Sequence, residues 1–342
     1  MKTEVAEKIR AAKSGDKEAF GELLSDASNV LIMGHKYADL DCIGAAAGVC
    51  CAARSRGKTA KIVIDAEKNA AKQLLSRMQS TDEYKNAFIT VQDAILSADN
   101  RTLLVVVDTN RPDQVESETL LISCNHLAVI DHHRRAANYI ENPDLNFHEP
   151  YASSASELVS EMLQYIVDQS EIMVMEAAAM LSGIVLDTKS FSIRTGSRTF
   201  DAAAFLRRVG ADTADVKKLL QSDLDAAIVR YNIVSNAKEY QDGIAIAASE
   251  TQATRVIIAQ SADELLNIAG ISASFVLAPT GDTISISGRS IGNTDVQQVL
   301  EHLGGGGNRS TAGAQLKDMT AAEAEKKLKE AIDEYLSYNA QE

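Results

Sequence analysis

The chain has 342 residues, of which 45% are hydrophobic and 24% are charged, and these proportions are typical of a globular protein, not of a fibrous or disordered one. Its length is about twice that of a usual single domain, so we expect two domains. The formal net charge of −14 disfavours duplex nucleic acid and anionic membranes as partners, because such binding depends on Lys and Arg contacts with phosphates. A small phosphorylated substrate remains compatible with this charge, since metal ions can dominate the field inside one cleft.

No segment approaches the ~18 consecutive apolar residues that a membrane span requires, and the charged N-terminal stretch lacks a signal-peptide profile. We therefore expect a cytoplasmic chain without membrane contact, with the cytosolic part of a membrane-anchored parent protein as the alternative. The four cysteines, Cys42, Cys50, Cys51 and Cys124, form no CxxC pair, so neither a disulfide framework nor a zinc site is indicated.

In the first half of the chain, short β-branched runs alternate with helical segments. Strands are predicted at residues 29–33, 60–64, 103–107 and 127–130, and helices at residues 41–56, 154–164 and 173–186. This alternation predicts an α/β fold with a parallel sheet covered by helices on both faces. In such sheets, ligands bind where the loops converge outside the carboxyl ends of the strands.

The second half has a different pattern. It is largely helical over residues 199–239, strand-like at 243–248, 256–259, 272–277 and 283–287, and helical again at 295–303 before a glycine run. We therefore divide the chain into a first domain at 1–198, a helical linker at 199–239 and a smaller α+β domain at 240–342.

Carboxylates and imidazoles follow the predicted strands of the first domain in turn. These candidate metal ligands are His35, Asp39, Asp41, Asp108, His132 and Asp187. Oxygen and imidazole donors suit Mn²⁺ or Mg²⁺, and imidazole favours manganese over calcium. Two ions about 3.5–4 Å apart would activate a water and stabilise both oxygens of an in-line displacement at phosphorus. A single Asp after a strand is more often a turn or capping residue, so the prediction depends on the joint pattern.

Four motifs carry a resemblance to a known family. They are His35-x-x-x-Asp39-x-Asp41, Asp108 after a Val-rich strand, Asp131-His132-His133, and Asp187 at the end of a helix. Their order and spacing resemble the DHH phosphoesterase superfamily. The glycine run at residues 304–307 resembles the glycine-rich motif of the companion DHHA1 domain, which separates the chain from the DHHA2 inorganic pyrophosphatases.

Within the superfamily, residues 151–157, 191–200 and 287–290 look closest to the catalytic part of the GdpP-type cyclic-di-AMP phosphodiesterases. Full-length members carry membrane helices, a PAS domain and a degenerate GGDEF domain upstream. The resemblance implies hydrolysis of cyclic di-AMP to the linear dinucleotide pApA with two divalent ions. Mn²⁺ is expected first, with Mg²⁺ or Co²⁺ as alternatives.

The resemblance also implies roles for individual residues. One ion would be held by His35, Asp39 and Asp108, and the second by Asp41, Asp108, His132 and Asp187. Asp131, His132 and His133 would be the catalytic residues, with Asp131 orienting the imidazole of His132 and with His133 near the substrate phosphate.

Substrate contacts are predicted in both domains. Backbone amides of a glycine run approach phosphate closely, and guanidinium groups match phosphate oxygens. The predicted contacts are His133, Arg289, Gly305, Gly306, Gly307 and Asn308. Relatives have His where this chain has Asn308, and an amide donates a hydrogen bond but carries no positive charge. His126, His148 and His302 match no motif and are expected to be structural or surface residues.

Two alternative functions stay open at this point. A nano-RNase or 3′,5′-bisphosphate nucleotidase would use the same first domain on short linear nucleotides. A non-hydrolysing cyclic-dinucleotide sensor is a third reading, which the complete ligand set disfavours. The sequence leaves open the preferred base and the final product. It also leaves open the oligomeric state, for which a homodimer is one alternative.

Overall fold

The computed structural model describes residues 17–135, 137–221, 223–241 and 243–339. The chain divides into two compact units between residues 221 and 222. The predicted fold class is confirmed, since a parallel-sheet α/β unit is followed by helices and then by a mixed-sheet unit. Within the described ranges, every helix is too short or too polar to cross a membrane.

The first unit is built on six strands and nine α-helices within the described residues. The strands are β1 (Val30–Met33), β2 (Ala60–Val63), β3 (Phe88–Ile89), β4 (Leu103–Val107), β5 (His126–Asp131) and β6 (Leu145–His148). The helices are α1 (residues 17–26), α2 (Leu40–Arg54), α3 (Lys72–Gln79), α4 (Val91–Ser97), α5 (Glu118–Ser123), α6 (Ala155–Ile166), α7 (Val174–Asp187), α8 (Ser197–Val209) and α9 (Thr213–Leu219).

All strand pairs of the first sheet are parallel, in the order β3-β2-β1-β4-β5-β6. Val30 and Ile32 of β1 enter one hydrophobic core, whereas Leu31 and Met33 enter the core on the opposite face. Burial on both faces explains why the strand is a continuous apolar run. The strand order reverses between β1 and β4, and such a switch point is where ligands bind in open α/β sheets.

The two edge strands, β3 and β6, are not among the strands predicted from the sequence. β3 has only two residues. In β6, Leu145 and Phe147 are buried and Asn146 is exposed, so the strand alternates and lacks the continuous apolar run of its neighbours.

The second unit has six further strands and four helices among the described residues. The strands are β7 (Lys238–Gln241), β8 (Ile244–Ala248), β9 (Ala273–Thr280), β10 (Thr283–Ser290), β11 (Gly306–Asn308) and β12 (Thr311–Lys317), in the order β11-β12-β10-β9-β8-β7. The helices are α10 (Leu224–Ser235), α11 (Arg255–Leu265), α12 (Val296–Glu301) and α13 (Ala321–Asn339). Of the strand pairs described in this sheet, β8–β9 is parallel and the others are antiparallel.

The strand predicted at residues 256–259 is wrong, because these residues lie in α11. The Val-Ile-Ile-Ala run suggested a strand, yet Ile258, Ala262 and Leu265 are buried at helical spacing. Thr254 also caps the helix, since its side chain accepts a hydrogen bond from the amide of Ile257. The segment predicted to be helical over residues 199–239 ends one turn early, where β7 begins.

Helices α2, α6 and α7 pack closely on one face of the first sheet, and small residues allow this approach. Gly183 of α7 lies where the helix passes the start of α2. A Cβ atom on Gly183 would lie 2.6 Å from Oδ1 of Asp41 and 2.7 Å from its Cα atom. The close packing of these helices therefore fixes the position of the Asp41 carboxylate.

We expect Gly183→Ala to destabilise the first unit, because the Cα atom of Asp41 cannot move away without shifting α2. Overpacking of this kind typically costs roughly 1–3 kcal/mol, which should exceed the gain in helix propensity. Urea unfolding measures the difference. Gly196→Ala is the matched control, since a Cβ atom there meets nothing within 4 Å. Equal stability of the two variants would contradict this description of the helix packing.

Candidate metal centre

The structure brings the six predicted ligand residues together at the carboxyl edge of the first sheet. His35 follows β1, Asp108 follows β4 and His132 follows β5. Asp39 is the N-cap of α2, and its side chain accepts hydrogen bonds from the amides of Asp41 and Cys42. Asp41 lies in the first turn of α2, and Asp187 is the last residue of α7.

The six side chains form two adjacent groups. In the group of His35, Asp39 and Asp108, and in that of Asp41, His132 and Asp187, the potential ligand atoms lie within 4.8 Å of one another. Asp108 lies between the groups, because its Oδ2 is 3.3 Å from Nε2 of His35 and its Oδ1 is 3.3 Å from Nε2 of His132. Nε2 of His132 is also 3.2 Å from Oδ2 of Asp187.

Two buried atoms at this junction have no hydrogen-bond partner among the described residues. They are Oδ1 of Asp108 and Nε2 of His132, which lie close together without the geometry of a hydrogen bond. Buried polar atoms are nearly always hydrogen-bonded. A carboxylate oxygen and an imidazole nitrogen that lie close together without a hydrogen bond are suited to binding the same cation. The residues present therefore fit a pair of divalent metal ions.

Asp41 is held from the other side by the N-terminus of α6. The amides of Ala155 and Ser156 donate to its two carboxylate oxygens at 2.7 and 2.9 Å. A helix N-terminus favours a negative charge. Even so, burial and the charges of Asp108 and Asp187 raise the pKa of Asp41 well above its usual range. An adjacent cation would favour the charged form of this carboxylate.

The backbone is strained beside two of the ligands. Asp108 has a left-handed conformation with φ of 60°. The three residues Lys189, Ser190 and Phe191, which closely follow Asp187, have φ values of 46°, 57° and 64°. A left-handed non-glycine residue costs of the order of 1–3 kcal/mol, and such residues cluster at functional sites.

Interactions among the charged groups of the site shift their pKa values in different directions. Burial alone would lower the pKa of His35, but its hydrogen bond and attraction to Asp108 raise it to about 9. Burial and repulsion from Asp108 raise the pKa of Asp39 to about 6. The pKa of Asp108 is lowered, because His132 and His35 outweigh the effect of its burial. Without metal, the site therefore keeps protons that the ions would displace.

Asp131 does not have the contact that was predicted for it. Its Oδ1 lies 2.9 Å from Nδ1 of His133, and among the described side chains no hydrogen bond or ion pair joins Asp131 to the ring of His132. Its Oδ2 accepts a hydrogen bond from Asn110. His148, which was expected to be a structural or surface residue, lies beside this pair, with Nε2 at 2.6 Å from the carbonyl oxygen of His133. Asn110 and His148 were missed because neither belongs to a recognisable motif.

A cavity of about 490 Å³ opens on the first of the two ligand groups. Its lining residues are His35, Lys36, Tyr37, Asp39, Asp108, Asp113, Gln114, His133 and Asp187. The volume is within the usual range for small-molecule sites. Asp41 and His132 are buried behind the cavity wall.

In the second unit, the predicted substrate residues already have internal partners. Nε of Arg289 lies 2.9 Å from Oδ1 of Asp263, and its Nη1 donates to the hydroxyl of Ser287. Gly306, Gly307 and Asn308 form β11, which pairs with β12, and Gly305 directly precedes it. Oδ1 of Asn308 accepts hydrogen bonds within the connecting turn, from the amide and hydroxyl of Ser310 and the amide of Thr311, each at 3.0 Å. Substrate contact by these residues stays a prediction.

Both the fold and the arrangement of the site are those of a two-domain DHH phosphoesterase. The family model of the N-terminal domain of the DHH family matches residues 29–184, and the DHHA1 domain model matches residues 241–338. The chain belongs to the DHH/DHHA1 phosphoesterase family, so the resemblance seen in the sequence motifs is confirmed.

Its relatives include the cyclic-di-AMP phosphodiesterase GdpP of Geobacillus thermodenitrificans, 46% identical over 322 residues, and that of Bacillus subtilis, 43% identical over 330 residues. The cyclic-di-AMP phosphodiesterase PdeA of Listeria monocytogenes is 42% identical over 323 residues. These alignments cover 93–94% of the chain but only 49–50% of each relative. The chain thus spans about half the length of these proteins.

Solved structures show the same fold at low sequence identity. An exopolyphosphatase-related protein from Bacteroides fragilis superposes with a TM-score of 0.79 at 20% identity, over 94% of this chain and 96% of that one. RecJ from Thermus thermophilus in complex with Mn²⁺ superposes with a TM-score of 0.52 at 13% identity, over 93% and 55% of the two chains.

The metal-free protein should become less stable as the pH rises from 6.5 towards 9. The pKa of His35 is raised from 6.5 to about 9, so within this window the folded chain binds more protons than the unfolded chain. By linkage, this stabilisation is complete below pH 6.5 and is lost as the pH rises through 9. Melting temperatures of protein treated with a chelator would show the slope.

His35→Gln should make this slope shallower, and His126→Gln should leave it unchanged, because His126 is exposed at the opposite end of β5. Saturating Mn²⁺ should reduce the slope, since metal binding requires a neutral imidazole. An identical slope in wild type and His35→Gln would contradict the proposed coupling between His35 and Asp108.

Proposed function

We propose that this chain hydrolyses cyclic di-AMP to the linear dinucleotide pApA. The observation that carries the proposal is the pair of ligand groups joined by the Asp108 carboxylate at the switch point of the sheet. Two-metal centres of this composition serve phosphodiester hydrolysis. The substrate is proposed from the relatives at 42–46% identity, whose names specify cyclic di-AMP.

The proposed cofactors are two divalent ions, with Mn²⁺ preferred because imidazole is part of both ligand groups. RecJ, which shares the fold, was crystallised with Mn²⁺. His35, Asp39 and Asp108 would hold one ion, and Asp41, Asp108, His132 and Asp187 the other. When bound, such ions stabilise the charge that develops on phosphate oxygens and lower the pKa of water.

His133 is the proposed contact with the substrate phosphate. Its side chain is about half exposed and lines the cavity, while Asp131 holds the ring through Nδ1. Burial lowers the pKa of His133, but the hydrogen bond to Asp131 and the charge of Asp108 raise it overall. A protonated imidazole would form a charge-assisted hydrogen bond with a phosphate oxygen.

The second unit is proposed to supply Arg289, Gly305, Gly306, Gly307 and Asn308 to the substrate. Since the carbonyl oxygen of Asn308 is engaged in its own turn, the amide nitrogen is the group left to donate to a phosphate or a base. A histidine at this position could not accept three hydrogen bonds in the same way.

A second candidate activity is hydrolysis of short linear nucleotides. The bifunctional oligoribonuclease and PAP phosphatase NrnA of Thermus thermophilus is 24% identical over 319 residues, and the alignment covers 90% of both chains. The two activities differ in whether the substrate has a free end.

The purified chain with Mn²⁺ should convert cyclic di-AMP to pApA faster than it degrades pApA or adenosine 3′,5′-bisphosphate. Chromatography of the products, with cyclic di-GMP as a comparison for base preference, measures this directly. A chelator should abolish turnover and added Mn²⁺ should restore it. Preferred cleavage of the linear substrates would favour the second candidate, and full activity of metal-free protein would rule out a two-metal mechanism.

Asp108→Ala should abolish turnover and lower the number of Mn²⁺ ions bound, because Asp108 is the residue between the two ligand groups. His302→Ala is the control, since His302 is exposed in the second unit. Calorimetry and metal analysis measure the stoichiometry. Equal losses in the two variants would contradict the assignment of the site.

A further inference from the structure

Two side chains outside all the motifs, those of Asn110 and His148, contact the loop that carries His133. The sheet itself brings His148 there, because the parallel register of β5 and β6 pairs Asp131 with His148. The amide of Glu149 also donates to the carbonyl oxygen of Asp131 at 3.0 Å. The side chain of His148 therefore lies beside the carboxyl end of β5.

His148 contacts the backbone of the loop. Its Nε2 lies 2.6 Å from the carbonyl oxygen of His133 and 3.9 Å from Oδ2 of Asp131. Because a carbonyl oxygen only accepts hydrogen bonds, Nε2 must carry a hydrogen and donate it. This bond fixes the position of the His133 main chain.

Asn110 contacts the carboxylate that holds the His133 ring. Its Nδ2 donates to Oδ2 of Asp131 and lies 3.5 Å from the carbonyl oxygen of His133. Asn110 is buried, and its main-chain carbonyl oxygen accepts a hydrogen bond from the amide of Ile140 at 2.7 Å. Asp131 is fully buried. Its Oδ2 is hydrogen-bonded to Asn110 and its Oδ1 to His133.

We propose that Asn110 and His148 are positioning residues, which act on the reaction by fixing His133. The inference rests on the hydrolysis proposed above. Asn110 sets the orientation of Asp131 and thereby of the His133 ring, while His148 fixes the main chain of the same residue. Within the described part of the chain, neither side chain forms a hydrogen bond or ion pair with any of the six proposed metal ligands.

The half-exposed imidazole of His133 has particular need of such support. A catalytic group must be held to within roughly 0.5 Å of its productive position, and its supporting shell usually supplies that precision. Loss of an outer partner of this kind typically lowers activity by about 10–100-fold. The effect should fall on kcat, because the substrate still binds through its other contacts.

His148→Leu should lower kcat for cyclic di-AMP by about 10–100-fold, with little change in KM, Mn²⁺ affinity or melting temperature. His148→Gln should recover most of the activity, since its amide nitrogen can donate in place of Nε2. His126→Leu, at the far end of the neighbouring strand β5, is the matched control and should behave as wild type. A loss that appears in Mn²⁺ affinity or melting temperature instead of kcat would overturn the proposal.

A double-mutant cycle tests whether His148 acts through His133. In the His133→Ala background, His148→Leu should lower kcat by less than about 2-fold, because the group that it positions is absent. An undiminished loss in that background would overturn the proposal. Wild-type protein that hydrolyses none of the dinucleotides would instead refute the proposed function.

A measurement without substrate separates a failure of this positioning proposal from a failure of the proposed hydrolysis. Long-range ¹⁵N–¹H spectra of the metal-free protein should show Nδ1 of His133 protonated and held in one tautomer. In His148→Leu and Asn110→Ala, the His133 signals should shift towards averaged values. Unchanged His133 signals in both variants would overturn the proposal whether or not the chain hydrolyses cyclic di-AMP.

Discussion

The structure depends on the convergence of four carboxylates, those of Asp39, Asp41, Asp108 and Asp187, at one edge of a buried sheet. Like charges in a desolvated place repel one another, and a folded chain sustains them only with compensating positive charge. Burial and repulsion from neighbouring carboxylates raise the pKa values of Asp39 and Asp41, whereas His132 and His35 lower that of Asp108. The fold thus requires positive charge beside these carboxylates. Bound protons supply it in the metal-free protein, and divalent ions would supply more of it.

Several local features hold the carboxylates in this unfavourable arrangement. The N-terminus of α6 binds Asp41 through two amides, and Gly183 lets α7 pass close to the same residue. Asp108 has a left-handed backbone, with its amide bonded to the carbonyl oxygen of Ile130 in the adjacent strand. Each feature stabilises a conformation that local preferences disfavour. Helix packing and sheet hydrogen bonds therefore provide the free energy that the metal centre requires.

The parts of the fold that could be predicted are those encoded by local pattern. Central strands buried on both faces appear as apolar runs, and ligand residues appear at fixed spacing after them. The edge strand β6, with its alternating burial, gives no such signal, and in α11 a β-branched run conceals helical spacing. The place of His148 beside Asp131 arises from the register of β5 and β6, and that of Asn110 follows from the pairing of β4 with β5, which no local pattern specifies.

The two parts of the site are held by different forces. The ligand residues have mutual charge coupling, so bound ions would themselves draw these side chains into position. His133 is not one of the six proposed ligands; it is half exposed, and its ring is fixed through Nδ1 to Asp131. Hydrogen bonds from buried polar groups must then supply the order that metal coordination supplies elsewhere. A protein that binds both ions normally can for this reason still be a poor catalyst, since metal binding and the placement of His133 depend on different residues.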